Sequence, residues 1–104
     1  MGASQMGHSL KSAAFLIESR MADAAQGDIQ ALYDLGVAYS TGSGVEVDFI
    51  EAHKWFNLAA LNGSVEAQEC RADIAEDMSA REIAEAQRQA RAWLSEMTPI
   101  RRVA

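Results

Sequence analysis

Four features of this 104-residue chain carry residue types able to do chemistry: His53, Cys70, the Gly42-Ser43-Gly44 turn and the Trp55-Phe56 pair. Histidine serves as general base, nucleophile partner or metal ligand near neutral pH. A catalytic role needs a nucleophile or carboxylate at a fixed spacing from His53, and none is evident. A metal site on a helix needs a second ligand on the same face, as in His-x-x-x-His, and the pattern is missing. His53, next but one to Trp55, therefore reads as a surface or packing residue. Cys70 is the single cysteine, so an internal disulfide is excluded. With no histidine or cysteine beside it in sequence, it reads as a small packing residue rather than a reactive thiol. The Gly-x-Gly turn lacks the preceding strand, the third glycine and the Lys-Ser/Thr of a phosphate loop. Trp55 and Phe56 could line an aromatic box, but their spacing fits a packed helix face. The expectation is no catalytic residue, no metal and no cofactor.

Composition narrows the class of partner. Apolar residues make up 49 % of the chain, too many for a disordered polymer. The length fits one small domain with a modest core. The net charge of −6 argues against a nucleic-acid surface. The charge is uneven: residues 1–80 carry −8 and residues 81–104 carry +2. The basic end either attracts an acidic partner or is a solvated final helix. No apolar run of about 18 residues exists, so no membrane span is expected. Residues 1–9 show no signal-peptide pattern and read as a flexible start or an expression remnant. A fold resting on packing alone favours the cytoplasm. A periplasmic or secreted setting stays open if a signal peptide has been removed.

The elements that hold these residues are helices. Apolar spacing and stop signals place five, at about 10–25, 29–40, 49–61, 65–78 and 80–97. Ala14, Ile17, Met21, Ala24 and Ala25 are the apolar positions of the first. Ile29, Leu32, Leu35, Gly36 and Tyr39 share one face of the second, where Gly36 suggests close contact with a neighbouring helix. Ala52, Trp55, Phe56, Ala59 and Ala60 form the stripe of the third. The fourth has a weak core pattern of Ala67, Cys70, Ile74 and Met78. In the fifth, Ile83, Ala86, Ala90, Trp93 and Leu94 are core candidates, with Arg81, Glu85, Arg88 and Arg91 on the soluble side. Asp28, Asp48 and Ser64 read as N-caps. Asp48 with Glu51 approaches a capping box, and Ser79 with Glu82 completes one. Val45 is placed to tuck into the core after the glycine turn. Pro99 closes the last helix.

The helices repeat. Ala24–Ala31 returns 36 residues later as Ala60–Ala67, with Gly27 on Gly63 and Ala31 on Ala67. A fixed period in this range marks a helical repeat array. The ordered positions are Gly27, Ala31, Tyr33, Leu35, Gly36, Tyr39, Gly42, Gly44, Val45, Asp48, Ala52, Trp55, Ala59, Ala60, Gly63 and Ala67. This string resembles the Sel-one-like repeat (SLR), a relative of the tetratricopeptide repeat, over residues 24–67. The following unit departs from it. Glu69, Arg71, Ala72 and Ala75 stand where Tyr33, Leu35, Gly36 and Tyr39 would return. Ala90 and Trp93 echo Ala52 and Trp55 at a spacing of 38. The domain organisation read from this is a half repeat at 10–26, a good repeat at 27–62, a degenerate repeat at 63–97 and a tail at 98–104.

The resemblance implies an all-α fold, an α/α right-handed superhelix of antiparallel helix pairs. It also implies a non-enzymatic adaptor that binds a protein or peptide on its concave side. On the second helix Gln30, Asp34, Val37 and Thr41 face away from the core stripe. The repeat shift carries them to Glu66, Cys70, Asp73 and Asp77. If that alignment holds, the groove is acidic and favours a basic or amphipathic peptide. The alternative is that these are solvated helix residues. Trp93, with no following repeat to cover it, raises the possibility of a weak homodimer through the last helix. Two further readings stand beside the adaptor. One is a fragment of a longer solenoid, suggested by the half repeat. The other is a β-lactam-binding or hydrolysing member, which the single cysteine and the missing Ser-x-x-Lys pattern disfavour.

Overall fold

A computed structural model describes residues 15–97 of the chain. The expected flexible start, the first residues of the first helix (Leu10 and Ala14 among them) and the tail at 98–104 lie outside that range. The described residues form helices joined by turns. They are α1 (residues 15–25), α2 (Ile29–Thr41), α3 (Phe49–Leu61), α4 (Val65–Ala75) and α5 (Ala80–Met97). α3 lies at the centre, packed against α2, α4 and α5.

Local chemistry sets each boundary. The Asp28 carboxylate accepts from Ala31 N at 3.1 Å and opens α2. Ser64 Oγ does the same for Ala67 N at 3.1 Å and opens α4. Ser79 and Glu82 exchange both capping-box bonds, at 2.8 and 3.1 Å. These side chains satisfy backbone donors that a helix start leaves open. Gly42 ends α2 in the left-handed region (φ 81°), and its N–H reaches Ala38 O at 2.8 Å. A side chain there would be strained and would meet Val47 Cγ2 at 3.0 Å.

Asp48 and Glu51 do not form the reciprocal box. Asp48 caps Ile50 N and Glu51 N by itself, at 3.0 and 3.1 Å. The Glu51 carboxylate turns along the helix instead, to Trp55 Nε1 at 3.1 Å and Lys54 Nζ at 3.0 Å. A buried indole N–H needs an acceptor more than the exposed cap needs a second bond.

The core is built on small residues and four large side chains. Ala31, Ala52, Ala59, Ala67, Ala86 and Ala90 are almost fully buried, which lets the backbones approach. Trp55, Phe56, Leu35 and Leu58 fill the remaining volume. Gly36 faces Phe56, as its place in the α2 stripe suggested. A Cβ there would sit 2.8 Å from the ring Cγ and nearer still to Cδ1 and Cε1. The repeat-motif alanines and leucines thus occupy the core, and Val45 and Ala60 are half-buried.

Several expected core positions are exposed. Ile29 is 41 % exposed because it is the first residue of α2, at the end of the α1–α2 hairpin. Ala25 and Leu94 are exposed and border an open cleft. α4 ends at Ala75, three residues short of Met78. From Glu76 on, each N–H reaches three residues back, a tight turn that leads to the Ser79 cap. On α5, Arg81, Arg88 and Arg91 are exposed as expected. Arg88 holds the half-exposed Glu85 in a 2.6 Å ion pair. Its hydrogen bonds, joined by Gln89, lower the Glu85 carboxyl to about 2.

Candidate interaction surface

α2 and α4 both pack on α3 and meet each other only lightly. The four positions expected on α2 behave differently from one another. Gln30 Nε2 donates to Asp34 Oδ1 at 2.9 Å. Asp34 Oδ2 pairs with Arg20 Nε of α1 at 2.9 Å. Val37 is half-buried against the core, and its carbonyl accepts the Thr41 hydroxyl at 2.8 Å. Asp34 is therefore not a free acidic group, and the α2 part of the face is close to neutral. Arg20 was missed in the sequence, although a signal existed. It lies seven residues before Gly27 and Asp34 seven after. An antiparallel hairpin brings residues equidistant from its turn side by side.

The acidic part lies on α4 and the turn after it. Glu66, Asp73 and Asp77 are exposed, with Glu69 and Glu76 beside them. The one base on that helix, Arg71, donates to Asn57 Oδ1 of α3. Cys70 differs from its neighbours: it is half-buried and packs on the core. The Tyr33 hydroxyl lies beside it. Tyr33 has its pKa raised, first by Cys70 through charge and hydrogen bonding, then by burial, then by Glu66 and Asp34. Tyr33 thus lies beside Cys70, and its ring tilts against that of Phe56 at 5.8 Å. Tyr33 belongs to the repeat motif, but the sequence alone did not place it at this junction.

A second opening, a cleft of about 300 Å³, lies between α1 and α2. Leu16, Ile17, Val37 and Ala38 line it, with the Arg20–Asp34 pair at its edge. Phe15 and Leu16 beside it are 67 % and 50 % exposed.

His53 is a packing residue, 4 % exposed on α3. Its Nδ1 has no hydrogen-bond partner among the described residues. Burial, and then the Arg71 guanidinium, hold its imidazole below the usual value of 6.5. The unfolded chain therefore takes up this proton first as pH falls. Stability is full above about pH 6.5 and declines below it, toward the lower folded pKa. Thermal melts should show a falling Tm from about pH 7.5 to 5.5. His53→Leu should flatten the slope; an unchanged slope would assign the effect elsewhere.

Trp93 is half-buried, with its ring edge-on to Trp55 at 4.9 Å and 76°. It is thus not the uncovered apolar edge expected from a last repeat without a successor, because α5 turns it inward onto α3. The exposed apolar residues at that end are Leu94 and Met97. No group of three metal-binding side chains occurs among the described residues. None of their helices is long and apolar enough to cross a membrane.

Helices packed around a shared central helix define a helical-repeat module. Residues 29–64 match the Sel1 repeat family. The matched segment takes in α2, the glycine turn, α3 and the Ser64 cap. Comparison with curated proteins and with solved structures finds no match. Helical repeats of this kind typically mediate protein–protein interactions.

Proposed function

We propose that this domain is a non-enzymatic adaptor that binds a basic or amphipathic peptide across α2 and α4. The observation that carries the reading is the outward row on α4. Glu66 and Asp73 are exposed there and Asp77 in the turn that follows, while the only base of that helix donates to Asn57. Tyr33 and Val37 supply apolar surface beside the row, and Gln30 and Thr41 supply polar groups. Charge of one sign next to apolar surface selects a partner of opposite charge and steers its approach. The reducing cytoplasm is the setting we propose.

The test is capture of a partner by the intact domain, repeated with Asp73→Lys and Asp77→Lys together. Binding should be lost on reversal and weakened by salt. A partner held equally by both forms at all salt concentrations would remove the acidic face from the account. Asp34→Lys is a poorer probe, because it also breaks the Arg20 pair.

A second reading rests on Phe15 and Leu16. Their exposure on α1 suits a further helix packing there, as in a longer solenoid.

A further inference from the structure

α4 is weakly anchored. Of its 11 residues only Ala67 is buried. Cys70 and Ile74 add half-buried contacts to the core. An isolated helix this short is marginal in water, so packing on α3 is what keeps α4 folded. Elements with few buried apolar contacts are the first to open locally. The polar part of the α3–α4 seam consists of three side chains. Arg71 of α4 donates to Asn57 Oδ1 of α3. His53 stands four residues before Asn57, one turn away on the same face of α3. It is 4 % exposed, and its Nδ1 has no hydrogen-bond partner among the described residues.

We propose that His53 is an acid-sensitive latch on α4: a proton taken up there opens the α3–α4 seam and draws the acidic row away from α2, while α3 and α5 stay packed. The consequence for a bound peptide rests on the adaptor reading above; the latch itself does not. A charged imidazole donates from both nitrogens, and the seam offers Nδ1 no acceptor. Burying that charge is costly unless it is paired. The charge that acts on the ring is the Arg71 guanidinium, of the same sign, and among the described residues none from α2 or α5 acts on it. On α3 itself, Glu51 and Lys54 pair with each other. Opening the seam gives the ring water and restores its usual value of 6.5. The open form therefore gains population as pH falls below that value, by up to about tenfold for each pH unit. The Trp55–Trp93 contact belongs to the other side of α3 and stays closed.

Cys70 reports on α4, because it is the single cysteine of the chain and packs half-buried on the core. The full chain is reacted with 4,4′-dithiodipyridine from about pH 7.5 to 5.5. Each rate is divided by that of the urea-unfolded chain at the same pH, which removes the thiol's own pH dependence. The normalised rate should rise about tenfold across the range, with tryptophan emission and acrylamide quenching unchanged. His53→Leu should abolish the rise. So should His53→Gln, which keeps a polar side chain without a titrating ring and serves if leucine disturbs the seam. Arg71→Gln should reduce the rise without abolishing it, because the burial of His53 remains. A normalised rate independent of pH would overturn the proposal, as would an equal rise in both His53 variants. A rise matched by a red shift of the tryptophan emission would also overturn it, because the whole domain would then be opening. No partner enters this measurement, so a domain that captures no peptide would remove the adaptor reading and leave the latch standing.

Discussion

Trp55→Ala is expected to be the most destabilising single substitution in this domain, at about 3–5 kcal/mol. Trp55 is 2 % exposed at the centre of α3, the helix on which α2, α4 and α5 pack. Truncation removes the apolar volume and leaves a cavity that small alanine neighbours cannot fill. It also strips Trp93 of its edge-on partner and frees Glu51 from the indole N–H. A domain of this size holds only about 5–15 kcal/mol in total. The loss therefore consumes a large share of it and lowers Tm by 10 °C or more, at roughly 4–8 °C per kcal/mol. Trp93→Ala should cost less, because Trp93 is only half-buried. Circular dichroism melts of both variants give the ordering. A milder effect at Trp55 than at Trp93 would mean that the α3–α5 seam, and not α3 itself, is the centre of stability.

Gly36→Val is expected to cost about 2–4 kcal/mol through overpacking. Alanine for glycine within a helix usually gains about 1 kcal/mol, so local propensity favours a side chain at this site. Tertiary contact decides against it, because the added carbon falls on the Phe56 ring, itself 1 % exposed. The ring is held by Tyr33 and the core and has no free direction in which to yield. The mechanism is separable from a general loss of helix. Phe56→Leu creates room at the same contact, so the Gly36→Val/Phe56→Leu pair should be less destabilised than the two single losses added. Simple additivity in denaturant melts would sink the contact explanation.

Much of the fold was legible because it depends on neighbours in sequence. Asp28, Asp48, Ser64 and Ser79 stand where a helix start needs an acceptor, and all four cap as read. The alanine, tryptophan and phenylalanine stripe of α3 falls at helical spacing and is buried. Misreadings gather at the ends of elements. Ile29, Ala25 and Leu94 keep the apolar period of their helices, but at those points the partner helix has turned away or a cleft opens. Periodicity reports which side of a helix is apolar, not whether anything covers it. The proposed site was less legible still. Gln30, Asp34, Val37 and Thr41 were read as one outward face, but Val37 packs against the core. Whether Asp34 carries free charge depends on Arg20, which belongs to another helix.

Local chemistry in the chain settles the helices, their caps, the glycine turn and the repeat pattern that residues 29–64 match, because each follows from interactions within a few residues. Packing between helices decides the rest. It turns Trp93 inward, pairs Asp34 with Arg20, buries His53 beside Arg71 and sets Tyr33 next to Cys70. The contacts at Asp34, His53 and Tyr33 join residues 14 to 37 positions apart, and Trp93 lies 38 from Trp55. Only the register between neighbouring helices brings such residues into reach, and no run of consecutive residues encodes that register.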